Sequence, residues 1–175
     1  MSKLFFVPVL VAASFWGALR VHGAESPVDR GRYLVTISGC SDCHTPGALQ
    51  GKPDGARFLA GSDVGFDVPG LGVFVGRNLT PDRETGLGTW TDDEIVAAIT
   101  KGTRPDGRHL APAMPWPALS KLTKTDARAI VAYLRSLPPV HNAVPGPFGP
   151  SETPTSLVLT QVPGEVLATL RKTAR

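Results

Sequence analysis

Cysteine occurs twice and methionine twice in 175 residues, and both scarcities narrow the chemistry open to the chain. Without a second cysteine pair, Cys40 and Cys43 supply at most half of a four-ligand structural zinc site. No apolar run is long enough to cross a bilayer comfortably: the stretch from Leu4 to Leu19 falls short of the roughly 20 residues required, and Pro8 interrupts it. A strong excess of one charge is also missing. The formal net charge is +3, but Lys3 and Arg20 lie in a segment, 1–24, that holds no acid, so the remainder is close to neutral. That balance gives no case for a nucleic-acid partner. No internal repeat is present, and the length suits one domain with its own core plus extensions.

Lys3, the uncharged run after it and a short polar piece ending at Gly23 and Ala24 follow the layout of a secretory signal peptide over residues 1–24. Cleavage is expected after Gly23 or Ala24. The other reading is an uncleaved membrane anchor, the one way in which this chain would be membrane-bound. In both, the folded part faces an exported compartment.

The two cysteines stand in Cys40-Ser41-Asp42-Cys43-His44. Cys-x-x-Cys-His is the attachment signature of a c-type haem. Thiols three positions apart lie about one helical turn apart, so both can reach the porphyrin vinyl groups while the adjacent imidazole falls beneath the iron as its proximal ligand. A thioredoxin-like redox pair is an alternative, but it needs a βαβ context that the flanking sequence does not supply. If one haem c is attached, both thiols are consumed in thioether bonds and the chain can form no internal disulfide. A signal peptide with covalent haem implies a bacterial periplasm, or the periplasmic face of the inner membrane if the segment stays uncleaved.

After the signal, Ser26-Pro27-Val28-Asp29 reads as a helix start with Ser26 as N-cap and Pro27 in the first position. Gly31 inside this helix costs about 1 kcal/mol relative to Ala, which suggests a close helix crossing against the surface around Tyr133 and Leu134. Residues 45–90 are rich in Gly and Pro, with turn signals at Pro53-Asp54-Gly55 and Pro69-Gly70. Val73-Phe74-Val75 is at most a short strand, and no sheet is expected. Asn78, Thr80 and Trp90 are candidate hydrogen-bond donors to haem propionates, though such residues also serve turns and caps. Thr91-Asp92-Asp93-Glu94 is a capping box opening a helix that Gly102 stops, and a last helix runs from Thr123 to Leu137 before Pro138-Pro139. Residues 141–175 form a Pro/Gly-rich extension, with a short strand from Leu157 and a weak helix from Gly164.

The loop from Arg104 to Pro117 carries Pro112, Pro115 and Pro117, which fix its backbone and exclude helix. Met114 on it is the only methionine besides Met1. Its thioether is a soft ligand that needs no deprotonation, and it is the first candidate for the iron's sixth position, with His109 and His141 as alternatives.

With these residues in place, the sequence resembles a class I c-type cytochrome, in particular the haem domains of cytochrome subunits of periplasmic alcohol, aldehyde and gluconate dehydrogenases. The matching segments are Gly31-Arg32-Tyr33-Leu34 leading into Cys40–His44, Asn78-Leu79-Thr80-Pro81-Asp82 with Gly86–Trp90, Arg104–Arg108 with Ala113-Met114-Pro115, and Ala132–Pro139. The resemblance implies an all-α fold over residues 25–140, with few short helices around one covalent haem, long Gly/Pro-rich loops, and His44 and Met114 as axial ligands. It implies one-electron transfer, with a periplasmic dehydrogenase as donor and another cytochrome or a terminal oxidase as acceptor. No residue is expected to act as a catalytic acid, base or nucleophile. Rival readings are a haem enzyme or sensor with an open sixth site, and a tightly bound subunit of a dehydrogenase complex. Those dehydrogenase subunits carry more than one such domain and this chain carries one, which points to a single-haem carrier or subunit.

Overall fold

A computed structural model describes residues 25–173 of the chain. The signal peptide expected at 1–24 lies outside the described residues. Helix α1, Pro27–Ile37, starts where Ser26 caps it, the Ser26 hydroxyl accepting from Asp29 N–H. Helix α5, Lys124–Ser136, starts likewise at Thr123, whose hydroxyl accepts from Asp126 N–H. The two cross at Gly31. A Cβ there would stand 1.9 Å from the Ala129 carbonyl oxygen and 2.7 Å from Tyr133 Cβ, so only a residue without a side chain admits this approach. Around the crossing, Leu34 and Val35 of α1 pack with Ile130, Val131 and Leu134 of α5, and Leu59 and Leu87 close the core. Arg30 Nε bonds Asp126 at 2.8 Å across the same pair.

Helix α2 is the five-residue turn Cys40–His44, and helix α3 spans Asp92–Lys101 with the complete Thr91/Glu94 capping box and Gly102 at its end. Arg135 of α5 ties this region down, donating to the carbonyls of Leu87 and Trp90 and pairing with Asp92. Helix α4, Trp116–Leu119, corrects the expectation that prolines exclude helix from this loop. Pro117 sits in the first turn, where a missing N–H is no loss.

The all-α expectation also needs correction, because three strands form a small sheet in the order β2-β1-β3. Strand β1, Val64–Val68, and strand β2, Gly72–Val75, make a hairpin about Pro69-Gly70. Strand β3, Leu157–Leu159, joins β1 in parallel, Val64 opposite Leu157. The backbone of this Gly/Pro-rich stretch finds in the sheet the partners that a buried loop would lack. Helix α6, Gly164–Thr173, is exposed along its whole length. Among the described residues no helix is long and apolar enough to cross a membrane.

Candidate functional site

Helix α2 places Cys40, Cys43 and His44 in one turn. Both thiols are free and half-buried. Burial pushes the Cys40 thiol up to about 11 and raises that of Cys43 as well. A redox-active thiol pair needs the opposite shift, since the thiolate is the attacking species, so a thioredoxin-like role is disfavoured. Among the described residues no group of three or more His, Cys, Asp or Glu is placed to hold a metal ion.

His44 Nδ1 lies 2.7 Å from the Arg77 carbonyl oxygen. A carbonyl only accepts, so Nδ1 carries the proton and Nε2 keeps its lone pair for a metal. Burial pulls the imidazole below its ordinary range, with the Arg77 carbonyl partly offsetting this, and the neutral form that binds metal is favoured. The surrounding loop holds α2 by its backbone. The His44 carbonyl accepts from Gly61 N–H at 2.8 Å, and Thr45 Oγ1 accepts from Leu59 N–H at 3.0 Å. Gly76 lies directly against the motif, since a Cβ there would meet the Cys43 carbonyl oxygen at 1.7 Å. Sequence reasoning singled out Asn78 and Thr80 but missed Gly76 and Arg77 beside them. Gly76, two residues before Asn78, was the available signal of a close backbone approach.

Met114 is half-buried on the loop between α3 and α4 and ends a turn in which its N–H donates to the Ala111 carbonyl at 2.9 Å. Both ends of this loop are pinned to the end of α3: Leu110 N–H donates to the Gly102 carbonyl at 2.7 Å, and the Trp116 ring lies against the Gly102 backbone. His109 is exposed in a bridge with Thr103. His141 stands at the surface near Asp82 and Glu84, at 3.7 and 3.6 Å.

Asn78 and Thr80, offered above as propionate donors, are wholly buried and spent inside the protein. Asn78 Nδ2 donates to Thr85 Oγ1 and to the Val140 carbonyl, while Thr80 Oγ1 donates to Asn78 Oδ1 and accepts from Val140 N–H. Their role is to fasten residue 140 to the loop. Trp90 is half-buried, with the Arg104 guanidinium over its ring at 5.5 Å.

Two thiols and a tautomer-fixed imidazole in one helical turn fit covalent haem c. The chain belongs to the cytochrome c family, whose model, described as Cytochrome c, matches residues 28–138. The domain is thus an electron-transfer module of the class I cytochrome type, with several short helices, a small sheet and covalently bound haem c implied by the family.

Among its relatives is the cytochrome c subunit of alcohol dehydrogenase (quinone) from Gluconobacter oxydans, 36% identical over 71% of this chain and 24% of that subunit. The fructose dehydrogenase cytochrome subunit of Gluconobacter japonicus is 36% identical over 61% of this chain and 20% of its own length. The gluconate 2-dehydrogenase cytochrome c subunit of Pantoea cypripedii is 30% identical over 82% and 31%. The matched region spans less than a third of each of these subunits.

Proposed function

We propose that this chain is a monohaem electron carrier of the periplasm, taking electrons from a dehydrogenase and passing them to another cytochrome or an oxidase. Bound haem supplies a reversible one-electron change at its iron. The chain's residues would do the rest: Cys40 and Cys43 would hold the group covalently, and His44 through Nε2 and Met114 through its sulfur would be the two residues that bind its iron, leaving no site there for small molecules to react. The observation that carries this reading is the 2.7 Å contact of His44 Nδ1 with the Arg77 carbonyl, which places the proton on Nδ1 and leaves Nε2 with a lone pair that a metal could take.

Half-burial of Met114 on a loop pinned at both ends supports it over the exposed His109 and over His141 with its acidic neighbours. The dehydrogenase donor is supported by relatives that are named as dehydrogenase cytochrome subunits. Export rests on the layout of residues 1–24, and mature protein is expected to begin at Ala24 or Glu25.

The testing experiment combines haem staining on a denaturing gel with ligand binding. Cys40→Ala, Cys43→Ala protein should lose the stain. Met114→Ala should keep it, lose the absorption band of sulfur-ligated ferric haem, and bind carbon monoxide when reduced, which the parent should not. A parent that binds carbon monoxide would overturn Met114 ligation and favour a haem enzyme or sensor.

A further inference from the structure

Residues 76–80 lie between the attachment motif and the C-terminal segment and touch both. On one side, Gly76 lies against Cys43 and the Arg77 carbonyl accepts from His44. On the other, Arg77 donates through its guanidinium to the carbonyls of Val144, at 2.6 Å, and Gly146, and Asn78 and Thr80 bond Val140. Arg77 therefore touches the haem-binding histidine with its backbone and the C-terminal segment with its side chain. Among the described residues no carboxylate accepts from it. Burial lowers its affinity for a proton, and the nearby Arg104 and Arg108 add repulsion. Buried donors with two carbonyls to satisfy them hold those carbonyls firmly, because letting go leaves a half-buried charge unpaired.

Residues 140–148 are held to the same loop at further points. Asn142 Nδ2 donates to the Ala60 carbonyl at 2.8 Å, one residue before the Gly61 N–H that bonds His44. Val144 packs into the space left by Gly61, whose Cβ would come within 2.2 Å of Val144 Cγ2. Phe148 exchanges both backbone hydrogen bonds with Val73, each at 2.9 Å.

We infer that residues 140–148 are a strap that positions the axial histidine, with Arg77 as the positioning residue that couples the strap to the His44 ring. The inference rests on the reading of His44 as haem ligand. The strap clamps the loop from outside, the loop presents the Arg77 carbonyl, and the carbonyl fixes both the plane of the imidazole and the site of its proton. A tail lying passively on the domain would leave the histidine unaffected by its removal.

The test measures solvent exchange of the His44 Nδ1 proton by NMR in reduced, haem-loaded protein. Two variants are compared with the parent: full-length Arg77→Lys, which keeps the charge but cannot hold both carbonyls, and a chain ended after His141. Each should exchange this proton roughly tenfold faster or more, while the amides of α5 stay within about twofold of the parent. Unchanged His44 exchange in both variants overturns the strap. If the shortened chain fails to fold, Arg77→Lys in the full chain decides alone. Haem staining of the same samples separates the two readings: a parent without stain sinks the haem assignment, whereas a stained parent with an indifferent His44 proton sinks only the strap.

Discussion

At the scale of single residues, Gly31 and Asp126 act on the same helix pair by different physics. Any side chain at Gly31 must push the Ala129 carbonyl away, since even a Cβ would sit 1.9 Å from it. Gly31→Ala gains about 1 kcal/mol of helix propensity but incurs overpacking of about 1–3 kcal/mol. With a backbone atom as the obstacle, the penalty wins, and the denaturation midpoint should fall. Asp126 accepts from Arg30 and from the Thr123 hydroxyl, and these bonds hold its carboxyl below the usual 3.8. A carboxyl with a depressed folded pKa stabilises fully above its unfolded value and ceases to do so as pH falls through the folded one. Urea midpoints of the parent should therefore fall more steeply than those of Asp126→Asn below about pH 4, and the gap between the two should be constant above about pH 5. The Gly31 crossing was legible in the sequence because a glycine amid helical signals contradicts propensity. Arg77 was not, because its contribution to His44 comes from a backbone carbonyl that every residue possesses.

At the scale of elements, the helices with polar side-chain caps, α1, α3 and α5, were readable, and so was α6 from Gly164, whereas α4 was not. The Thr91/Glu94 box opens α3 as expected, with Thr91 Oγ1 accepting from Glu94 N–H and Thr91 N–H donating to Glu94. Thr91→Ala should cost about 1 kcal/mol, read as a lowered melting temperature with haem content unchanged. Helix α4 has no side-chain cap and begins with Trp116-Pro117, so its sequence looks like loop. Short strands at Val73–Val75 and from Leu157 were expected and are present as β2 and β3, but their assembly into a sheet was not, because β1 acquires β3 from a segment some ninety residues further along. For Asn78 and Thr80 the turn role named beside the propionate role is the one present, with Asn78 Oδ1 accepting from Thr80 N–H, while their further partner Val140 lies outside any local window.

At the scale of the whole molecule, the family assignment covers helices α2 to α5, all but the first residue of α1, and the attachment motif, while residues beyond 138, with β3 and α6, lie outside the matched segment. A monohaem carrier predicts one iron per chain, measured by pyridine haemochrome absorbance against protein concentration, and a second equivalent would contradict it. Co-purification with a large oxidoreductase subunit at fixed stoichiometry would favour a permanent subunit over an exchanging carrier. Redox encounters of the exchanging kind bury little surface and separate readily.

The order in which the ribosome makes these parts follows from where they lie. Cys40, Cys43 and His44 are complete early, the loop that supports them comes next, and Val140, Val144 and Gly146 come near the end. In chain order the attachment motif precedes every residue that fastens its supporting loop from the C-terminal side, so the bonds to Val140, Val144 and Gly146 are the last in this region that synthesis makes possible.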